Sequence, residues 1–241
     1  MNNILVIIQA RIGSTRLPGK VLKPLGQSDV LSYVVERCRK IEGVQEVVVA
    51  TSDLPQDDAI AKWCQEKHVA YYRGSEQNVL SRFIEAAKPY QPNYIMRVTS
   101  DCPFVDYEMA TDMVKQLNEH PAEIIDITKA LPRGLAVELI SYAALQHIVN
   151  CELAERHREH VTYYAYEYKE QFTRLSYEPP HSIQHEALRI TLDTDEDYAL
   201  CNAIANHFND LLVSSADVVN YLLAHPEVAE LNAHIEQKPV V

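Results

Sequence analysis

The sequence predicts an α/β fold, a mainly parallel sheet with helices on both faces. Two observations carry this. Short runs rich in β-branched residues occur at 4–8, 47–51, 69–72 and 94–98. Between them, apolar residues recur at helical rather than alternating spacing. Strand and helix thus take turns, and alternation of that kind builds parallel sheets whose ligands sit beyond the carboxyl ends of the strands.

Each element follows from its own pattern. The run at 4–8 is uniformly apolar, as a strand covered on both faces must be. A helix is expected over 28–40, with Leu31, Val34, Val35 and Cys38 on one face, and a second over 57–66, with Ile60, Ala61, Trp63 and Cys64. A third spans 78–87 through Leu80, Phe83 and Ile84; a fourth covers 107–118 and leads to a strand near 124–127. Past about residue 130 the alternation stops. The aromatic-rich stretch 163–177 reads as a hairpin or small lobe, with Tyr163, Tyr164, Tyr166 and Tyr168 packing that hairpin or a dimer contact. Helical spacing returns at 195–208 and 216–224. No repeat or Gly/Ser-rich linker interrupts the 241 residues, so one domain, 1–241, is expected, with a lobe at about 130–190 for acceptor binding or dimerisation.

Composition narrows the function. A formal charge of −12 repels phosphate backbones and anionic bilayers, which argues against nucleic-acid and membrane partners. Locally the sign reverses: residues 1–28 hold no acid but include Arg11, Arg16, Lys20 and Lys23, a field suited to an anionic ligand. The five cysteines are odd in number, scattered and lack a C-x-x-C pair, as expected of reduced thiols in the cytoplasm. No apolar stretch has the length of a signal core or a membrane span.

Three polar loops follow predicted strands: 10–20, 52–58 and 99–106. The first packs two glycines, two hydroxyls and three cations into one connection, and amides with cations can cradle phosphates. Five residues separate Gly13 from Gly19 and Val21 stands where a Walker loop needs Ser or Thr, so it is not a P-loop. Read from composition alone, it could equally be a basic surface loop whose glycines make turns. Two acidic clusters are candidates for a hard metal ion: Asp101 after the strand at 94–98, and the run from Asp193 to Asp197. The second also reads as a helix N-cap with acids in its first turn. His181 and His185 have i, i+4 spacing, but Pro179 and Pro180 precede them and no third ligand is apparent, which speaks against zinc.

The string A-R-I-G-S-T-R-L-P-G-K, ending at Lys20, resembles the signature of the CMP-sugar synthetases, in particular the spore-coat polysaccharide cytidylyltransferase branch and the 3-deoxy-manno-octulosonate cytidylyltransferases. Further matches run in order along the chain: Arg73-Gly-Ser before the 78–87 helix, where Asn78 stands in place of Asp; Pro132 to Glu138; Arg158-Glu-His-Val-Thr162; and D-x-P at Asp101 with D-T-x-E-D at Asp193.

The resemblance implies a Rossmann-like nucleotidyltransferase (nucleotide-diphospho-sugar transferase) fold. It implies CTP as one substrate, a small acidic sugar or similar acceptor as the other, magnesium as cofactor and a homodimer. Arg11, Lys20 and Asp101 would be catalytic. Ala10, Arg11, Gly13, Ser14, Thr15, Arg16, Lys20, Thr51, Ser52 and Asp101 would form the nucleotide site. Asp101 and Asp193 would hold the metal, and Arg73, Glu76, Glu138, Arg158 and His160 would face the acceptor. A glycosyltransferase of related fold, for which Asp193-Thr-Asp195 would supply the D-x-D letters, is the rival enzyme; a silent nucleotide-binding protein is the other.

Overall fold

β1 (Ile4–Gln9) is the centre of the computed structural model, which describes residues 2–236. Its side chains divide by parity: Ile4, Val6 and Ile8 enter one apolar core, Leu5 and Ile7 the other. A strand buried on both faces cannot alternate apolar with polar, which explains its unbroken run.

The long polar connection after β1 closes in a two-residue antiparallel pair, β2 (Pro24–Leu25) and β3 (Ser28–Asp29). α1 (Val30–Arg39) therefore starts two residues later than the spacing suggests, where the Asp29 carboxylate accepts from the Ser32 N–H. β4 (Val44–Ser52), α2 (Asp58–Glu66), β5 (Ala70–Gly74), α3 (Val79–Ala87), β6 (Tyr94–Thr99) and α4 (Tyr107–Glu119) follow in the expected order. Beyond them lie β7 (Ile124–Ile127), β8 (Glu138–Ser141) and α5 (Tyr142–Val149).

The strands form one sheet in the order β5-β4-β1-β6-β8-β7, completed at its edge by β9 (Arg174–Tyr177). All neighbours are parallel except β8, which is antiparallel to both β6 and β7.

The stretch at 163–177 differs from the expected hairpin. It forms α7 (Tyr163–Glu167), preceded by α6 (Glu155–Glu159), then a short 3-10 turn and β9, which pairs in parallel with β7. The cause is burial: Val161, Tyr164 and Ala165 pack into the second core at i, i+3, i+4 spacing, and Arg174 ties β9 to Asp126 of β7 at 2.5 Å. His181 lies on a 3-10 turn, not an α-helix, so the i, i+4 argument for a histidine pair fails there. The last helices among the described residues are α8 (Asp195–Phe208), α9 (Ser215–Ala224) and α10 (Pro226–Ala229). Among the described residues no helix is long and apolar enough to cross a membrane.

Candidate active site

Parallel order sets the place of the site. β1 and β6 are neighbours, so the loops leaving their carboxyl ends meet, and both face a cleft of two joined cavities of about 320 and 900 Å³. Arg11, Arg16, Arg97, Asp101 and Asp193 line both.

The β1 loop is held from within and below. Gly19 N–H donates to the Ile12 carbonyl at 3.1 Å, and Ser14 Oγ accepts from Leu17 N–H at 3.2 Å. Gly19 has φ +68°, the left-handed backbone that lets the chain turn into Lys20 at no steric cost. Below, fully buried Asp57 accepts the Ile12 N–H at 2.7 Å and the Ser52 hydroxyl. Ser52 and Thr51, like Ala10, thus lie under the loop and do not line the cleft. Gly13, Ser14, Thr15, Arg16 and Lys20 do line it.

Lys20 is the hub. Its ammonium stands 2.9 Å from Asp101 Oδ2 and 2.6 Å from Asp193 Oδ1. Burial opposes the lysine charge, but the two carboxylates outweigh it and raise its pKa; the reverse holds for Asp101, where burial is overcome by Lys20 and its pKa falls. Lys20 and Asp101 are therefore both ionised at neutral pH. Asp193 also meets Arg16 at 3.2 Å and Arg189 at 3.3 Å, and Arg11 reaches Glu159 of α6 at 4.0 Å. Cys102 beside this cluster is no nucleophile, since burial and Asp101 push its thiol up to about 12.

Asp193 is held in place by α8. Thr194 caps that helix, and buried Asp197 accepts from the backbone of Asp193 and Thr194 while taking a two-point contact from Arg189 at 2.8 and 2.9 Å. The acidic run is thus both cap and site, divided by residue: Asp197 caps and Asp193 lines the cleft.

The wider cavity is walled by the β7–β8 connection and by α6–α7. Glu138 accepts from Arg97 at 2.7 Å and from the Thr162 hydroxyl, and Arg97 also donates to Gln9 at 3.3 Å, joining the two cavities. Burial lowers the pKa of His160, which keeps its ring neutral at pH 7. Tyr163 and Tyr166 line this space, while Tyr164 and Tyr168 pack on each other with ring centroids 4.5 Å apart. Lys129 and Arg133 stand on the same wall without an ion-pair partner among the described residues.

Three expected acceptor residues lie outside the lining. Arg73 donates to the carbonyls of Ser52 and Leu54 and pairs with Asp58 at 2.7 Å, bracing the β4–α2 turn. Glu76 sits behind Gly13, and Arg158 is on the exposed side of α6. Conversely, Arg97 and Arg189 belong to the site or its support and stand outside the motif strings, while Glu159 and Thr162 lie within Arg158–Thr162 but were not among the expected site residues.

A family model for cytidylyltransferases matches residues 5–229. The chain belongs to the cytidylyltransferase family. Two relatives match over nearly their whole length. The spore coat polysaccharide biosynthesis protein SpsF of Bacillus subtilis is 35% identical, with 95% of this chain and 98% of that one covered. An uncharacterized protein of Methanocaldococcus jannaschii is 34% identical, with 98% and 96% covered. The solved structure of a cytidylyltransferase from Leptospira borgpetersenii is 28% identical and superposes with a TM-score of 0.89 over 99% of this chain and 100% of that one. The fold is therefore that of the cytidylyltransferases, and the cleft at the ends of β1 and β6 is the candidate active site of this one.

Proposed function

We propose that this cytidylyltransferase moves CMP from CTP onto a small acidic acceptor, an acidic sugar or a molecule of like chemistry, with release of pyrophosphate. The observation that carries the reading is the convergence of Arg11, Arg16 and Lys20 with Asp101 and Asp193 at the ends of two adjacent parallel strands.

The acceptor hydroxyl oxygen attacks the α-phosphorus in line. Its new P–O bond forms as the bond to the bridging β-oxygen breaks; pyrophosphate leaves with that electron pair and the hydroxyl proton passes to solvent. Arg11, Arg16 and Lys20 supply fixed positive charge where negative charge gathers on the triphosphate, and such preorganised charge is the main source of catalysis in this chemistry. Two carboxylates that meet on one ammonium are a donor set of the kind magnesium takes, since it commonly uses one or two protein carboxylates and completes its shell with phosphates and water. When bound by Asp101 and Asp193, magnesium would neutralise phosphate charge and polarise the α-phosphoryl group. Glu138 orients acceptor hydroxyls, and Lys129 and Arg133, which line the same wider cavity, meet its anionic group.

Thermal unfolding with ATP, GTP, CTP and UTP, each with and without magnesium, tests this. A nucleotide at a hundred times its dissociation constant stabilises the native state by about 2.7 kcal/mol. A magnesium-dependent shift confined to CTP is expected. Stabilisation by nucleotide sugars, with none by any triphosphate, would replace this reading with a glycosyltransferase.

A further inference from the structure

Every cation that the β1 loop offers to a triphosphate is already matched by a carboxylate of the cleft. Arg11 faces Glu159, Arg16 faces Asp193, and Lys20 lies between Asp101 and Asp193. Two of those three carboxylates are the proposed metal ligands. Lys20 is the tightest of the three cations, with contacts at 2.9 and 2.6 Å and a side chain only 10% exposed. The second oxygen of Asp193 faces Arg16 at 3.2 Å and Arg189 at 3.3 Å, so this carboxylate has a cation on each side.

From this arrangement we infer that Lys20 gates the metal site: in the resting chain its ammonium holds the position a divalent cation needs between Asp101 and Asp193, and phosphate oxygens must draw it away before that cation can bind. The inference rests on the reading of Asp101 and Asp193 as metal ligands. A divalent ion that uses both carboxylates must approach the same oxygens that Lys20 contacts, and two positive centres a few ångströms apart repel strongly in a half-buried site. Nucleotide binding changes both halves of the exchange together. Lys20 and Arg16 pass from carboxylate to phosphate, and the freed carboxylates pass to the metal. Coupling of this kind is reciprocal, so the nucleotide raises the affinity for the ion by the same factor as the ion raises the affinity for the nucleotide. Free magnesium, abundant in any cell, would be kept off two adjacent acids until a triphosphate is present.

The experiment is a titration with Mn²⁺, followed by the electron paramagnetic resonance of the free ion, on the intact protein with and without CTP. Wild type should bind Mn²⁺ weakly alone and at least about tenfold more tightly with CTP. Lys20→Met, in the absence of nucleotide, should bind Mn²⁺ about tenfold or more tightly than wild type, and should melt at a lower temperature that Mn²⁺ restores. Arg16→Gln, whose side chain is 31% exposed and less needed for packing, should move Mn²⁺ affinity the same way by a smaller factor, and carries the test if the lysine variant does not fold. Adding Asp193→Asn to either variant should abolish the gain, which assigns it to this site over other acids on the surface. Unchanged or weaker Mn²⁺ binding in the folded variants overturns the gate. Failure of Mn²⁺ to bind wild type even with CTP removes the metal assignment itself, and the gate with it.

Discussion

The two halves of the cleft are built on opposite principles. On the proposed nucleotide side one continuous segment supplies Arg11, Arg16 and Lys20, and each has a carboxylate partner inside the site. On the proposed acceptor side the lining comes from β6, the β7–β8 connection, α6 and α7, and its two exposed cations, Lys129 and Arg133, have no such partner among the described residues. One half is electrically closed and must exchange partners to bind; the other is open and gains a partner on binding. The first favours coupling between ligands, and the second favours choice of acceptor by charge.

Substitutions can break this contrast at different depths. The largest effect is expected at the support of the closed half. Asp197→Ala removes the two-point carboxylate partner of the buried Arg189 guanidinium and should cost about 3–5 kcal/mol of stability in urea unfolding. Burial disfavours the ionised Asp197, yet Arg189 and Asn232 hold its pKa below the ordinary carboxylate value. Its contribution is therefore complete above that ordinary value, near 4, and drains away as pH falls below it toward the folded pKa. Wild type should lose more stability than the variant between pH 4 and 2; equal slopes would mean that the pair contributes nothing.

Next comes Asp101→Asn, which leaves the loop cations in place but removes one of the two charges between which Lys20 lies. Turnover should fall about a hundred- to a thousandfold, the usual scale for losing one electrostatic contact to a transition state. Unchanged turnover, measured by pyrophosphate release, would take Asp101 out of the chemistry. Arg133→Ala should have the smallest effect and should sharpen the contrast. It should raise the acceptor KM by about tenfold, the scale of one surface charge contact of about 1.4 kcal/mol, while leaving CTP stabilisation intact. An equal loss of CTP binding would show that the halves are not separable in this way.

The same contrast decides what could be read before folding. The parallel order was legible because β1, β4 and β6 are apolar without alternation, and their pattern has no other use. The β1 loop was legible because its residues are contiguous, so the site there is a string. Asp193 and Asp197 share one run of acids whose two roles only the contacts with Lys20 and Arg189 separate. Arg97 and Glu138 come from strands that pair only after folding, 41 residues apart in sequence. A signal did exist for Arg97 and for Arg189: each is a lone charge set in an otherwise apolar run, and burying one without a partner is costly. Of the hairpin or lobe expected at 163–177, the hairpin failed because tyrosine favours strands, while Val161, Tyr164 and Ala165 reach the second core at i, i+3, i+4 spacing. Arg73 matched a motif by position, but the structure places it at the end of β5, where it serves the backbone of the neighbouring turn.

The reversed direction of β8 has a wider consequence. In a wholly parallel sheet every strand ends at the cleft, so each loop there must also launch the next crossover helix, and its length is tied to the architecture. Because β8 runs the other way, it begins at the cleft with Glu138, and the connection that reaches it, 128–137, has no helix to launch. Within it, Leu135 and Val137 are buried and the Arg133 backbone pairs with Leu188 and Ile190, but residues 129–131 are exposed or half-buried and can change in length or charge without shifting the strand that presents Asp101. A single backward strand thus leaves part of one cleft wall replaceable, so descendants of one ancestor could keep a common donor chemistry while trading one recipient molecule for another.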